Sequence, residues 1–229
     1  MKTKKKYMVV ITSIIVVLIG TVLVIDSGIL TSTKTEKEIS AEINESREEK
    51  IEMYEKVEGN ISIEEKLEYG LLSSKNGEFD KAEQIYLEIL EEDPNNLMAT
   101  HRMGNLAIEE NDFNKAMEYR EKYVKLDPSN ASGNLYYSQL LLLEDVNKSM
   151  QFAEKAFNLA SEEEKSTFDS YNKVIKKIHS GDLEGYIELL KNDNLFIPEN
   201  LKLAIINSVK KVHKEIPQEL LNIQKDIMN

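Results

Sequence analysis

Apolar side chains recur every three or four positions through most of the chain after residue 61, with polar and charged residues between them. This spacing places the apolar side chains on one face of an α-helix and predicts a series of amphipathic helices. Pro198 and Pro217 each open a further predicted helix, because proline is tolerated in the first helical turn. The clearest apolar stripe, in a helix predicted within residues 162–179, consists of Phe168, Tyr171, Val174, Ile175 and Ile178.

The start of the chain has a different pattern. Residues 7–25 form an uncharged run, YMVVITSIIVVLIGTVLVI, which follows a cluster of lysines. As a helix this run would be roughly 28 Å long, about the thickness of the hydrocarbon core of a membrane. Because lysines stay on the cytoplasmic side, we expect an uncleaved single-pass anchor that leaves the C-terminal part outside the cytoplasm. The alternatives are a cleaved signal peptide, although the run lacks an A-x-A site, and a buried helix.

Residues 32–61 are rich in glutamate and lysine and contain no proline. Ile39, Ile43 and Ile51 lie near helical spacing, but Arg47 interrupts the stripe. We expect a charged, partly helical stalk that is solvated. The alternative is a short coiled coil that dimerises the protein, although sustained coiled coils need several uninterrupted heptads.

An internal repeat organises the middle of the chain. The segment NGEFDKAEQIYLEILEEDPNN at 76–96 recurs as ENDFNKAMEYREKYVKLDPSN at 110–130, an offset of 34 residues. A third, degenerate copy at 144–161 has Ser149 at the position of the alanine and no proline, and we place Tyr137 at its glycine position. The second copy has Arg120 where the first has an aromatic residue. Because one such unit cannot bury its apolar faces alone, at least about three must stack.

The period and the repeated residues resemble those of the tetratricopeptide repeat. The resemblance implies that each repeat is a pair of antiparallel helices, and that the repeats stack into a solenoid whose concave surface is lined mainly by the first helix of each pair. The small residues let the two helices approach closely, the Asn76-Gly77 pair marks a turn, and the prolines end each unit. The residues that carry the resemblance are Gly70, Gly77, Phe79, Ala82, Pro94, Gly104, Phe113, Ala116 and Pro128.

We therefore predict an all-α protein, a solenoid of the tetratricopeptide type preceded by one transmembrane helix. Residues 1–31 comprise the lysine cluster and the anchor, and residues 32–61 the stalk. Residues 62–161 hold three repeats. Residues 162–229 form a divergent fourth helix pair and C-terminal helices that cap the solenoid, because a terminal repeat must cover its exposed core.

Composition excludes several kinds of function. The chain has no cysteine and only three histidines, and the absence of cysteine excludes thiolate chemistry. Its net charge is −12. This charge argues against a nucleic-acid partner, since phosphate binding needs surplus lysine and arginine. Nucleotide-binding glycine motifs and the HExxH metal motif are absent from the sequence. We expect no enzyme activity, no metal and no cofactor.

The resemblance directs attention to the concave groove. We expect its polar residues to bind a protein or peptide partner, whose main chain or carboxylate they would hydrogen-bond. A chaperone-tail clamp of the kind found in co-chaperones is not expected, because the lysine that such a clamp pairs with asparagine is missing. The candidate partner-binding residues are Glu68, Lys75, His101, Arg102, Asn105, Asn134 and Ser138.

The function predicted is a membrane-anchored scaffold or adaptor. Its architecture is similar to that of bacterial single-pass tetratricopeptide proteins of the YfgM type. The acidic repeats favour a basic or apolar partner segment. The alternative is a structural assembly factor of a bacterial envelope complex that forms homo-oligomers through its stalk and its C-terminal helices. The sequence does not decide whether the groove is open or occupied by those helices.

Overall fold

The computed structural model describes residues 36–56, 61–195 and 197–229, and in them all regular structure is helical. Eleven α-helices and one short 3-10 helix follow one another along these ranges. This confirms the predicted all-α class. In chain order the helices are α1 (Glu36–Glu55), α2 (Ile63–Lys75), α3 (Phe79–Glu92), α4 (Leu97–Glu109), α5 (Phe113–Leu126), α6 (Ala131–Leu141), α7 (Val146–Leu159), α8 (Lys165–His179), α9 (Glu184–Lys191), the 3-10 helix (Asp193–Leu195), α10 (Glu199–Val212) and α11 (Gln218–Met228).

The chain divides into two units, Met1–Ala41 and Glu42–Asn229. Of the first unit, the structure describes only the beginning of α1. The predicted anchor, residues 7–25, lies outside the described residues. No helix in the described ranges has the length and apolar character needed to cross a membrane.

Within the second unit, consecutive helices form antiparallel pairs whose ends are set by local chemistry. Ser62 begins α2 with a reciprocal capping box, and the side chains of Asn96 and Asn130 accept hydrogen bonds from the first turns of α4 and α6. The turns inside the pairs use a left-handed residue, Gly77 at φ 81° and Asn111 at φ 64°. Asparagine tolerates this backbone region better than most residues, which explains why the second repeat manages without the turn glycine.

The paired helices cross where one residue is small. In the first repeat the ring of Tyr86 lies against Gly70, and a β-carbon there would be only 2.5 Å from Cε1 of the tyrosine. In the second repeat, Arg120 takes the place of the tyrosine ring. Its Nε atom lies 3.2 Å from the position that a β-carbon on Gly104 would occupy. A β-carbon at Gly70 would therefore clash with the tyrosine ring, whereas one at Gly104 would require the arginine side chain to move by only a few tenths of an ångström.

The third repeat corrects one expectation. The caps Asn96 and Asn130 keep the offset of 34 residues, so Ser138, and not Tyr137, lies at the position of Gly104. One residue is missing from the turn that follows α6, where Asp145 caps α7. The crossing is made by two serines: Oγ of Ser138 donates to the carbonyl of Ser149 at 2.7 Å, and Oγ of Ser149 donates to the carbonyl of Ser138 at 2.8 Å.

Helix α1 packs against the first repeat. Ile51 is buried, and the ring of Tyr54 stacks on Tyr69 at a centroid distance of 5.3 Å. Arg47, which interrupts the apolar stripe in sequence, donates to the carbonyl oxygen of Lys75 at 2.9 Å. The second half of this helix therefore covers the N-terminal edge of the repeats.

The helices predicted after residue 161 are all present. Helices α8 and α9 form a fourth pair, and α10 and α11 begin directly after Pro198 and Pro217. Leu201, Ile205 and Ile206 of α10 are buried in one apolar cluster with residues of the second, third and fourth pairs. The C-terminal helices therefore share the core of the solenoid.

Candidate functional site

One face of α4 carries the central part of the candidate site. Met98, His101, Arg102 and Asn105 recur at the three- and four-residue spacing that puts side chains on the same side of a helix. Met98 is 47% exposed, and the three polar side chains are partly exposed. An apolar contact and three polar groups thus lie side by side on the surface of the second repeat, and we call these four residues the α4 groove face.

Arg120 of α5 lies directly beneath this face. It is only 3% exposed, yet its guanidinium reaches two residues of the α4 groove face. Nη1 donates to Nδ1 of His101 at 2.8 Å, and Nη2 donates to Oδ1 of Asn105. The guanidinium carbon also lies 5.2 Å from the ring centroid of Tyr136 in α6, a cation–π contact.

In the described part of the chain, the charge of Arg120 has no partner of opposite sign. Its guanidinium forms no ion pair with a carboxylate there and hydrogen-bonds the neutral side chains of His101 and Asn105. Burial lowers the pKa of Arg120 to about 10, so the guanidinium remains protonated at neutral pH. A buried cation without a counter-ion is costly, because its lost hydration is not replaced by an opposite charge.

His101 is held in its neutral form. Burial, together with the positive charges of Arg120 and Arg102, lowers the pKa of His101 to about 4. The ring also packs against Tyr123 and Tyr136 at centroid distances of 5.6 and 6.1 Å. At neutral pH the α4 groove face therefore presents an imidazole above a guanidinium cation.

Two of the predicted residues lie in the first repeat, away from this cluster. Glu68 accepts hydrogen bonds from Nζ of Lys50 and from the hydroxyl of Tyr54, each at 3.0 Å, so α1 already occupies its carboxylate. Lys75 is exposed in the last turn of α2. The structure therefore brings together His101, Arg102 and Asn105, but not Glu68 and Lys75.

The remaining two predicted residues, Asn134 and Ser138, are corrected by the structure. Both side chains are fully buried. Nδ2 of Asn134 donates to the carbonyl of Asn130 at 2.6 Å, and Oγ of Ser138 lies 3.0 Å from the hydroxyl of Tyr171. They occupy the crossing side of α6 because the offset of 34 residues makes them correspond to Thr100 and Gly104, and not to His101 and Asn105. The positions that correspond to His101, Arg102 and Asn105 are Leu135, Tyr136 and Gln139.

The C-terminal segment covers the corresponding face of α6. Nε2 of Gln139 donates to the carbonyl of Leu195 at 3.1 Å, and Oγ of Ser208 donates to the carbonyl of Leu143 at 3.1 Å. Nδ2 of Asn200 donates to the carbonyl of Ile108 at the end of α4. The groove is thus occupied by the chain itself at the third repeat, while the α4 groove face stays partly exposed.

Sequence reasoning missed two members of the cluster, Arg120 and Tyr136. The signal for Arg120 was in the repeat itself, since a charged residue replaces the aromatic residue at the crossing position. Nothing in the local pattern of α6 marks Tyr136. In the described ranges, no group of three or more acidic, histidine or cysteine side chains is arranged to hold a metal ion.

Comparisons with known proteins agree with this geometry. Residues 67–96 and 99–130 match a family model described as tetratricopeptide repeat. A comparison with curated protein sequences found no match. The described helices thus form an all-α solenoid that contains tetratricopeptide repeats.

Solved structures of similar fold include two forms of MamA. A MamA RS-1 double mutant has 13% identity, covers 80% of this chain and 100% of its own, and superposes with a TM-score of 0.50. A MamA from AMB-1 has 14% identity, covers 82% of this chain and 93% of its own, and also has a TM-score of 0.50. Identities this low establish similarity of fold alone.

Proposed function

We propose that this protein is a membrane-anchored scaffold or adaptor that binds a partner protein on the α4 groove face and performs no catalysis. Tetratricopeptide solenoids are interaction modules. The observation that carries the proposal is the partial exposure of the α4 groove face, next to an α6 face where Gln139 is buried and hydrogen-bonds the C-terminal segment at Leu195. An exposed methionine beside partly exposed polar groups is typical of a surface that adapts to a peptide.

The chemistry of the partner segment follows from charge. The chain carries a net charge of −12, so a segment with basic or apolar side chains is favoured over an acidic one. Met98 supplies apolar contact area for such a segment, and the amide nitrogen of Asn105 supplies a hydrogen-bond donor, since its oxygen already accepts from Arg120.

The groove assignment is tested by photo-crosslinking in cells. A benzoylphenylalanine replaces Met98 in one variant and Leu87, which is 40% exposed on α3, in a matched control. We expect an adduct of defined mass from position 98 that disappears with Arg102→Glu or Asn105→Ala, and none from position 87. Equal adducts from both positions, or adducts at position 98 that these substitutions leave unchanged, would contradict the groove assignment.

The membrane part of the proposal depends on residues 7–25 and on the lysines before them. We propose an anchor with its N-terminus in the cytoplasm and the repeats on the other side, as in bacterial proteins of the YfgM type. Because the chain has no cysteine, one cysteine at the exposed Asn95 tests this orientation. Labelling of intact cells by a membrane-impermeant thiol reagent supports it. Labelling only after lysis would reverse the topology and place the partner in the cytoplasm.

A second candidate function is that of an oligomeric assembly factor. Met53 of α1, Val212 at the end of α10 and Met228 of α11 are 53%, 74% and 70% exposed, which favours apolar contacts through the stalk and the C-terminal helices. Light scattering of the full chain in detergent micelles tests this possibility. A protein mass above that of one chain, reduced to one chain by Met53→Glu or Val212→Glu, would support it.

A further inference from the structure

The contacts beneath the α4 groove face determine which nitrogen of His101 carries the proton. A guanidinium group has only donors, so the contact from Nη1 of Arg120 to Nδ1 of His101 requires Nδ1 to accept. The imidazole is neutral, and a neutral imidazole has one accepting and one donating nitrogen. Nε2 of His101 therefore carries the hydrogen.

The same argument orients the amide of Asn105. Its oxygen accepts from Nη2 of Arg120, which leaves the amide nitrogen, Nδ2, as a donor. The reverse orientation would turn the NH2 group toward a cation that only donates. Nδ2 of Asn105 lies 3.2 Å from Nε2 of His101, so two N–H donors stand side by side and neither supplies an acceptor to the other.

The surroundings of these two donors are short of negative charge. Arg120 lies beneath them without a counter-ion, and the Nε atoms of Arg120 and Arg102 are buried without a hydrogen-bond partner in the part of the chain that the structure describes. Glu109, the next acidic residue along this side of α4, lies one turn beyond Asn105 and two turns beyond His101, about 6 Å and about 12 Å along the helix axis. It already accepts a hydrogen bond from Ser74.

We propose that the α4 groove face is a binding site for one carboxylate group of a partner peptide, which accepts hydrogen bonds from Nε2 of His101 and Nδ2 of Asn105 above the buried guanidinium of Arg120. This inference rests on the proposed function of the groove and adds the chemistry that the groove recognises. The cation comes from α5, behind the groove, rather than from a lysine on the groove-lining helix.

A single carboxylate fits this site better than a run of acidic residues. The two donors and the buried guanidinium provide favourable electrostatic interactions for one negative charge. The chain as a whole carries a net charge of −12, so it would repel further negative charges on the peptide. A chain terminus that follows apolar or basic residues meets both conditions. A lone aspartate or glutamate in such a segment has the same chemistry.

The small number of histidines makes a direct test practical. The full chain in detergent micelles, labelled with 15N-histidine, contains three imidazole rings, of which His179 and His213 serve as internal references. At pH 7.5 the chain is titrated with N-acetylglycylglycine and with its carboxamide. We expect a saturable shift of Nε2 of His101 with the carboxylate and none with the carboxamide. Equal shifts with both probes would overturn the proposal.

Two substitutions remove the site by different routes. Asn105→Asp supplies the missing carboxylate from within the chain, and Arg120→Tyr copies the residue of the first repeat, Tyr86. Both are expected to weaken binding of N-acetylglycylglycine by at least about tenfold. The matched control is Asn147→Asp, which makes the same change beside His179 on the exposed surface, where Oδ1 of Asn147 lies 2.9 Å from Nε2 of the histidine. It should leave binding unchanged. Undiminished binding in Asn105→Asp would overturn the proposal.

A further titration distinguishes a side-chain carboxylate from a C-terminal carboxylate of the partner peptide. N-acetylglutamic acid α-amide presents a side-chain carboxylate and N-acetylglycylglycine a terminal one, and the tighter binder identifies the form that the site prefers. Inorganic phosphate that binds more tightly than both would overturn the assignment to a carboxylate. If the titration fails while photo-crosslinks from position 98 persist, only this inference fails. If the titration succeeds without crosslinks, the partner-binding function fails instead.

Discussion

Arg120 and His101 are joined by a hydrogen bond of 2.8 Å between Nη1 and Nδ1, although they lie on different helices of the second repeat. The bond requires a neutral imidazole, because a protonated ring has no acceptor. The buried guanidinium and the tautomer of the histidine are therefore coupled. A change of pH that protonates His101 removes this bond and places two cations next to each other.

We expect this coupling to make the chain less stable in acid. The pKa of His101 is about 4 in the folded chain, and an unfolded histidine has a pKa of about 6.5. The folded state thus binds the proton less well, so the contribution of His101 to stability is complete above pH 6.5 and is lost as the pH falls from 6.5 through 4. Allowing for the solvent-exposed part of the ring, the loss is about 2 kcal/mol.

The measurement is urea unfolding of the full chain in micelles at pH 7.5 and at pH 4, followed by far-ultraviolet circular dichroism. His101→Gln is the matched variant, since its amide oxygen accepts from Arg120 and does not titrate. The wild type should lose more stability than this variant over the same range. Equal losses would contradict the role of His101.

A second prediction concerns the crossing residue. Tyr86 and Arg120 occupy equivalent positions against Gly70 and Gly104, so each repeat provides the control for the other. Arg120→Tyr removes an unpaired buried charge and should raise the unfolding free energy by about 1–3 kcal/mol. Tyr86→Arg buries a new charge and should lower it by about 3 kcal/mol or more. Chemical denaturation of both variants tests the pair, and a loss of stability in Arg120→Tyr would contradict the account.

A third prediction concerns close helix approach in the first repeat. A methyl group on Gly70 would lie 2.5 Å from Cε1 of Tyr86, and such overpacking costs about 1–3 kcal/mol. In a Tyr86→Leu background, the shorter side chain should reduce the cost of Gly70→Ala. A double-mutant cycle measures this coupling. Additive effects would show that Tyr86 is not the obstacle.

The hydroxyl of Tyr171 gives a fourth prediction. This fully buried group lies 3.0 Å from Oγ of Ser138. Tyr171→Phe should cost about 1 kcal/mol, because Ser138 keeps its bonds to Ser149. Tyr186→Phe is the matched control, since Tyr186 is also buried but its hydroxyl makes no hydrogen bond in the described part of the chain. Similar costs for the two variants would assign the effect to packing.

The candidate site was only partly predictable. His101, Arg102 and Asn105 share one helical face, and the repeat resemblance is enough to place them in the groove. The prediction for Asn134 and Ser138 is wrong because placing Tyr137 at the glycine position of the third copy puts its missing residue before α6. It lies after that helix. A shift of one residue turns a side chain by about 100° around a helix, which moves it from the groove to the core.

The helices, their turns and the small residues at their crossings can be predicted from the amino-acid sequence. These features are local, because a turn asparagine, a capping serine or an apolar stripe acts within a few residues of its own position. The packing of whole helices, by contrast, brings Arg120 of α5 to His101 and Asn105 of α4 and brings Leu195 to Gln139 of α6, while the α4 groove face stays partly exposed. Those contacts join residues 15 to 56 positions apart, and they depend on how whole helices pack, which no local pattern encodes.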